Sequence, residues 1–474
     1  MKNKDMRNLF NIIFIFFLPV LTHALPVSLK GYFPKALGET VYIIGFKDFI
    51  SQTEEILAST TIDANGYFQL TLKLDHPSPL ILEIAFYRLS FYALPGSNWQ
   101  FNSEQFQVTE NGNPLLPQST LPCYIHGPLT DSLLRNMNAQ IADFLNSAAY
   151  EIYLKQNTAV LDTFTIKTLK INLFDKEFQE AASYQLATLY LGVRLPLGIN
   201  AFHELQPKYQ SWHFCNWLED YLAKALTREN PLSANSGLTR DLIQAINQKE
   251  DLQTVRELLS QHFQIKDSLM EEVVTLAALK VFYRTPIYQN KSIINLIRQL
   301  KETTFNKDIA FIAENLVQRL TAFSPGNQVP PFELITQTGD TLNPATTKGK
   351  YSYFVFARKY CSSCLNSLEL LRPLYERYKD KLQIICIFTS HDTLTESGFA
   401  KKMNYPWPVV IAGKNYDFLR TFQAFSLPLE ILVNENGNIV AWPAYRAGEG
   451  LEAVLEKLLS KQPNPPKTPL QRKW

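Results

Sequence analysis

Tyr351-Ser352-Tyr353-Phe354-Val355-Phe356, followed within five residues by Cys361-Ser362-Ser363-Cys364, is the stretch on which the fold turns. The first six residues form a continuous aromatic and β-branched run, the pattern of a strand buried on both faces. After the cysteines, Leu365, Leu368, Leu371 and Leu374 step by three, which predicts a helix to about Tyr378. Leu382-Gln383-Ile384-Ile385-Cys386-Ile387-Phe388 then reads as a second buried strand. Strand, helix and strand in this order make a βαβ unit, whose strands are expected to be parallel with a right-handed crossover. The cysteine pair therefore opens a helix at the C-terminal edge of the sheet. There, free backbone N–H groups and the positive end of the helix dipole favour thiolate over thiol. Arg358 and Lys359, just before, are candidates to add to this effect. Cys361 is the expected nucleophile toward a disulfide. Cys364, one turn along the same face, is the expected resolving thiol.

A Cys-x-x-Cys is also half of a zinc site, but zinc takes four ligands and this sequence has no second such pair. No metal and no cofactor is expected. A structural disulfide is the other competing reading. Three more cysteines stand at 123, 215 and 386. Cys386 falls in a buried strand and reads as a small core residue. Cys123 and Cys215 are left open as a possible bridge, since sequence does not place them within bonding distance.

Outward from the redox pair the pattern stays mixed α/β. Phe332-Glu333-Leu334-Ile335 and Thr341-Leu342 flank a Gly339-Asp340 turn and predict a hairpin. Pro408-Val409-Val410 follows a further helix. Ser426-Leu427-Pro428 precedes a second hairpin, Leu429-Glu430-Ile431-Leu432-Val433-Asn434-Glu435-Asn436-Gly437-Asn438-Ile439-Val440. Together with Pro325-Gly326, Pro330-Pro331-Phe332 and Gly349-Lys350, this ordered set resembles the thioredoxin superfamily, specifically the exported TlpA/ResA-like thiol–disulfide oxidoreductases. The resemblance runs from Pro325 to about Leu459, a little over a quarter of the chain. It implies an α/β thioredoxin-like domain, a redox-active Cys361–Cys364 disulfide, and a cis peptide at Pro428 opposite the pair. Proline has no N–H to compete beside the sulfurs. Leu427 before it, and Tyr360, are the expected client-binding contacts.

The sequence departs from the family in four places. Tyr360 replaces the common Trp, and Ser362-Ser363 replaces a pair that often contains Pro. Thioredoxin's acidic residue on the preceding strand aligns with Val355, and the motif itself carries no Glu. The usual proton acceptor for Cys364 is thus missing. His391 and Asp392, after the neighbouring strand, lie at the correct sheet edge and are the accessory candidates.

Upstream, residues 25–120 read as β. Val41-Tyr42-Ile43-Ile44, the turn Asp63-Ala64-Asn65-Gly66, the alternation Phe68-Gln69-Leu70-Thr71-Leu72-Lys73-Leu74, and Pro79 to Ile84 are strand and turn signals at sandwich spacing. A second turn at Leu94-Pro95-Gly96 leads into Trp99-Gln100-Phe101. An antiparallel sandwich or barrel is expected, and the region resembles a β-domain found upstream of exported bacterial thioredoxin-like domains. Residues 121–322 change to helical period. Leu134, Met137, Ile141 and Leu145 share a face, as do Leu252, Val255, Leu258 and Leu259. Ile293, Leu296, Ile297 and Leu300 do the same, and so do Ile309, Ile312 and Leu316. An all-α region is expected. Trp212, His213 and Trp217 around Cys215 read as a core-facing helix stripe rather than a ligand site. Residues 323–331 are a linker by composition and open the domain spanning 323–461; residues 462–474 form a Pro-rich tail.

Lys2, Lys4 and Arg7 precede an apolar run from Leu9 to Leu21 and the small-residue site Thr22-His23-Ala24. Residues 1–24 are thus expected to be a cleaved signal peptide, because the run falls short of the ~20 apolar residues of a membrane span. A periplasmic location follows, with no stable membrane insertion after cleavage. Net charge is only +2 over 474 residues, so no basic field argues for nucleic acid. Expected partners are client proteins with disulfides or thiols, and an upstream redox partner. The alternative function is a binding or assembly protein whose thioredoxin-like domain is a recognition module with little turnover.

Overall fold

The computed structural model of the protein describes residues 24–459, apart from 86, 107–120, 194–201, 203–204, 206, 227–236, 391–392, 414 and 425–426. The run expected to be a signal peptide and the Pro-rich tail lie outside the described residues. The chain divides by compactness into two units, one carrying most of the β-rich and helical regions as far as Leu320, the other chiefly the residues from Thr321.

In the first unit, eight strands form two four-stranded sheets: β1 (Leu25–Tyr32), β2 (Thr40–Phe46), β3 (Glu54–Thr61), β4 (Tyr67–Leu74), β5 (Ser78–Ile84), β6 (Tyr87–Ala93), β7 (Asn98–Asn102) and β8 (Tyr124–His126). The strand orders are β4-β1-β7-β8 and β3-β2-β5-β6, a sandwich. Period-two burial places Val27, Leu29, Phe68, Leu72, Trp99 and Phe101 inward. Phe91 from one sheet packs on Trp99 and Phe101 of the other, at centroid distances of 4.7 and 5.2 Å. The Asp63–Gly66 turn forms as its residues predict. Asp63 Oδ1 accepts from the N–H groups of Asn65 and Tyr67, and Gly66 takes φ +86°. One expectation needs correction: the sandwich is not wholly antiparallel. β1 and β7 pair in parallel, Ser28 with Asn98 through Tyr32 with Asn102. Alternation specifies which face is buried and carries no information on strand direction.

The four helical periodicities fall in helices Leu129–Ala149, Leu252–Phe263, Asn290–Thr303 and Lys307–Thr321. Asp251 and Asp267 cap the starts of Leu252–Phe263 and Ser268–Tyr283, each carboxylate accepting a backbone N–H in the first turn. The Trp212–Leu226 helix buries His213, Phe214, Cys215 and Trp217 in the core; burial pushes the His213 imidazole down to about 4. The loop after β2 joins this core through Phe49 and Ile50. Its Asp48 accepts from Asn315, and its Ser51 carbonyl accepts from Arg319. The β-rich and helical regions thus share one compact unit.

In the second unit, β9 (Leu334–Ile335) and β10 (Thr341–Leu342) make the expected hairpin. The main sheet contains β11 (Tyr351–Ala357), β12 (Leu382–Phe388), β13 (Val409–Ile411), β14 (Leu429–Val433) and β15 (Ile439–Ala441), in the order β13-β12-β11-β14-β15. β11 and β12 are parallel and fully in register; β14 runs antiparallel to β11. Both sheet faces are covered. Tyr353, Val355 and Ala357 face Leu368, Leu371, Leu451 and Leu455 from helices Ser362–Tyr378 and Leu451–Leu459. Phe354 and Phe356 face Phe418, Leu419 and Phe422 on the other side. This two-sided burial is why β11 reads as an unbroken apolar run. The segment expected to be a linker is tied down instead. Gly326 N–H donates to the Ile439 carbonyl, Val329 N–H to that of Gly437, and the Val329 side chain is buried. Its Pro and Gly content fixes an irregular path along the β14–β15 hairpin, and composition cannot separate that from a free tether.

Candidate redox site

Cys361 lies four residues beyond β11 and caps the Ser362–Tyr378 helix with extended dihedrals, φ −94° and ψ 97°. It is disulfide-bonded to Cys364, with a Cα–Cα distance of 5.2 Å. The Cys364 backbone N–H donates to Cys361 Sγ at 3.2 Å, and the Ser363 hydroxyl lies 3.4 Å from the same sulfur. After reduction this N–H and the helix dipole remain in place to hold a thiolate. The two sulfurs differ in access: Cys361 is 7% exposed and Cys364 0%. Ser362 and Ser363 are exposed beside them.

The loop before Cys361 is anchored by Thr389 and Glu396, which the sequence did not single out. Arg358 Nε donates to the Thr389 hydroxyl at 3.0 Å, and burial holds its guanidinium below the usual arginine range. The Lys359 backbone N–H donates to the carboxylate of buried Glu396 at 3.1 Å. The Lys359 ammonium sits 4.8 Å from the ring centroid of Tyr360, which is exposed.

The Leu427–Pro428 peptide is cis. Leu429 pairs with Phe356, so the β14 register brings Pro428 to the Ala357 end of β11, from which the chain runs to Cys361. Leu427 is half-buried and touches the cores on both sheet faces. A second cis peptide, Trp442–Pro443, was not foreseen; nothing in its sequence context marks it. His391 and Asp392 lie outside the described residues.

The remaining cysteines are free thiols, so Cys123 and Cys215 do not pair. Burial pushes the Cys123 thiol up to about 12 and raises those of Cys215 and Cys386 further, which leaves all three weak nucleophiles near neutral pH. Among the described residues, no group of three or more His, Cys, Asp or Glu side chains is arranged to hold a metal ion. No described helix is long and apolar enough to cross a membrane.

Sequence reasoning missed Glu430. This carboxyl is 2% exposed on β14, directly opposite Val355. It accepts from the Ser367 hydroxyl at 3.4 Å, and Ser367 is one turn beyond Cys364. Burial pushes it up to about 7, against the opposing pull of Arg446 and the Ser367 bond. The available signal was a lone acid inside the apolar run Leu429-Glu430-Ile431-Leu432-Val433.

A parallel-cored sheet with helices on both faces, a helix-capping Cys-x-x-Cys and a cis-proline at the same sheet edge make a thioredoxin-like α/β domain. The Redoxin family model matches residues 324–444. A thioredoxin-like protein of Bacillus subtilis, YneN, is 26% identical over 117 residues, covering 24% of this chain and 68% of that protein. Among solved structures, the thioredoxin domain of a thiol-disulfide oxidoreductase from Bacteroides vulgatus is 25% identical. It covers 28% of this chain and 97% of its own, with a TM-score of 0.27. A thiol:disulfide interchange protein DsbE from Chlorobium tepidum is 20% identical and covers 29% and 97%, with a TM-score of 0.27.

Proposed function

We propose that this chain is exported to an oxidising compartment, the periplasm of a two-membrane cell, and there reduces or exchanges disulfides in client proteins. The carrying observation is the asymmetry of the pair: a helix-capping Cys361 bound by a backbone N–H, and Cys364 fully buried behind it. In the reductive direction, Cys361 thiolate attacks a client sulfur, and the other client sulfur leaves as a thiolate. Cys364 then attacks Cys361, closes the Cys361–Cys364 bond and releases the second client thiolate. Two electrons pass from the dithiol to the client. The backbone of Leu427 beside Pro428 and the exposed ring of Tyr360 are the client contacts, and the upstream unit presents the clients or the redox partner.

Insulin reduction by a dithiol, followed by turbidity, tests the activity on the full chain. Turnover is expected from the native protein and none above background from a Cys361→Ser/Cys364→Ser variant. Equal rates would remove the proposed function and favour the recognition-module alternative.

Export rests on the apolar run from Leu9 to Leu21 and the small residues before Leu25. Expression in a two-membrane bacterium should yield a periplasmic product whose intact mass begins at Leu25. Full-length protein confined to the cytosol would rule this part out.

A further inference from the structure

We propose that Glu430 is the proton acceptor for Cys364, acting through the Ser367 hydroxyl, and so replaces the acid that β11 lacks at Val355. This inference rests on the dithiol reading above and assigns the proton that reading leaves unplaced.

Val355 stands in the middle of β11 and cannot move a proton. Glu430 is its direct antiparallel partner. Directly opposed residues of an antiparallel pair project to the same face of a sheet. For Val355 that is the face packed with Cys361, Cys364 and Leu368. Glu430 is therefore on the cysteine side. Ser367 is the proposed intermediary. It is three residues after Cys364 on one helix, so the two side chains are neighbours on one face, and its hydroxyl is bonded to Glu430 Oε1.

The surroundings leave Glu430 free to exchange a proton. The groups facing it are Ser367 from the helix, Tyr353 from β11, and Arg446 and Glu449 from the segment after β15. The Tyr353 hydroxyl donates to the Tyr445 carbonyl, so it is not committed to Glu430. Arg446 is ion-paired to Glu449 at 3.2 Å, which blunts its pull on Glu430. Among the described residues no Lys, Arg or His nitrogen lies within ion-pairing distance of Glu430. A buried carboxyl without a bonded cation titrates near neutrality rather than in the usual carboxylate range, and burial places Glu430 at about 7. A group of that kind suits both directions of transfer at neutral pH.

The step balances as follows. With a client held on Cys361 as a mixed disulfide, the Cys364 thiol gives its proton to the Ser367 oxygen as Ser367 passes its own to the Glu430 carboxylate. The Cys364 thiolate attacks Cys361 Sγ, the Cys361–Cys364 bond forms, and the bond from Cys361 to the client breaks. The client sulfur leaves with the electron pair as thiolate. Glu430 returns its proton to solvent or to the departing thiolate.

The test uses the full reduced chain and oxidised glutathione, with acid quenching and mass analysis across pH 5 to 10. Formation of the glutathione adduct reports the attack by Cys361; its decay reports resolution by Cys364. Glu430→Gln is expected to leave adduct formation within about twofold and to slow its decay about 10- to 100-fold at pH 7. The gap should close above the ordinary thiol range, where Cys364 ionises without help. Ser367→Ala, which removes the relaying hydroxyl, should slow decay to a similar extent and lose the neutral inflection; a native decay profile in Ser367→Ala would overturn the relay. Normal adduct formation with an unchanged decay profile in Glu430→Gln would overturn the role of Glu430 alone. No adduct from the native chain would overturn the dithiol reading and this proposal together. A measurement on the unaltered protein guards against a variant that fails to fold. A carbon-13 NMR titration of the Glu430 carboxyl should give a neutral midpoint that moves when the disulfide is reduced, because a second titrating group then appears beside it. A midpoint indifferent to redox state would contradict the proposal.

Discussion

Cys364→Ala is expected to convert the protein into a trap that accumulates client mixed disulfides, whereas Cys361→Ala accumulates few. The attacking sulfur in Cys364→Ala keeps its cap position, its backbone donor and its access to solvent. What is lost is the second sulfur, so the adduct cannot be resolved from within. In Cys361→Ala the remaining thiol is wholly buried one turn inside the helix and cannot meet a client sulfur. Both variants should lose steady-state turnover by on the order of 10³ or more, since each removes one member of a two-step relay. A non-reducing gel of acid-quenched extracts, with adducts identified by mass, separates the two. Equal yields from the two variants would contradict the assigned order.

Glu219→Ala should strongly destabilise the first unit, by about 3–5 kcal/mol. Lys280 is 2% exposed in the middle of the Ser268–Tyr283 helix, and its ammonium lies 2.6 Å from Glu219 Oε2. Burial already lowers the Lys280 pKa, and the Arg319 and Arg284 charges push the same way; Glu219 is the opposing force. Glu219 also holds Arg284 at 3.5 Å and accepts from Gln52 of the loop after β2. Removing it leaves a buried cation among cations. The sign of the pH response follows. With Lys280 depressed further in the folded state, folding releases a proton, so the variant should regain stability as pH rises toward the ordinary lysine range. Urea unfolding of the variant at pH 7 and pH 9.5, beside the native chain, measures both effects. A loss under about 1 kcal/mol at pH 7 would show that water reaches Lys280 and that the ion pair does not hold the unit together.

The parts of this fold legible in the sequence were those where one local pattern has one structural outcome. The continuous apolar runs of β11 and β12 are buried on both faces, and their observed ends match the runs to within a residue. The helical stripes around Met137, Val255 and Leu296 fall on buried helix faces for the same reason. What stayed hidden depended on partners distant in the chain. The parallel pairing of β1 with β7 comes from sheet assembly. The anchoring of residues 323–331 comes from backbone bonds to a hairpin more than a hundred residues later. The redox pair itself was legible because a Cys-x-x-Cys at a helix start is a local arrangement. Glu430 was not, because its meaning lies in standing across the sheet from Val355 and under Ser367. Glu396, which holds the loop before Cys361 from a helix beyond β12, was hidden in the same way.

The central claim is that Cys361–Cys364 is a working dithiol and not a structural bond. Equilibration of the folded full chain in graded mixtures of reduced and oxidised dithiothreitol, with alkylation and peptide mass mapping, tests it most directly. The account predicts one reversible two-electron transition confined to Cys361 and Cys364, complete in mild excess of reduced dithiothreitol and without loss of fold. A bond that stays closed until the chain is denatured, or a transition that unfolds the domain, would contradict it.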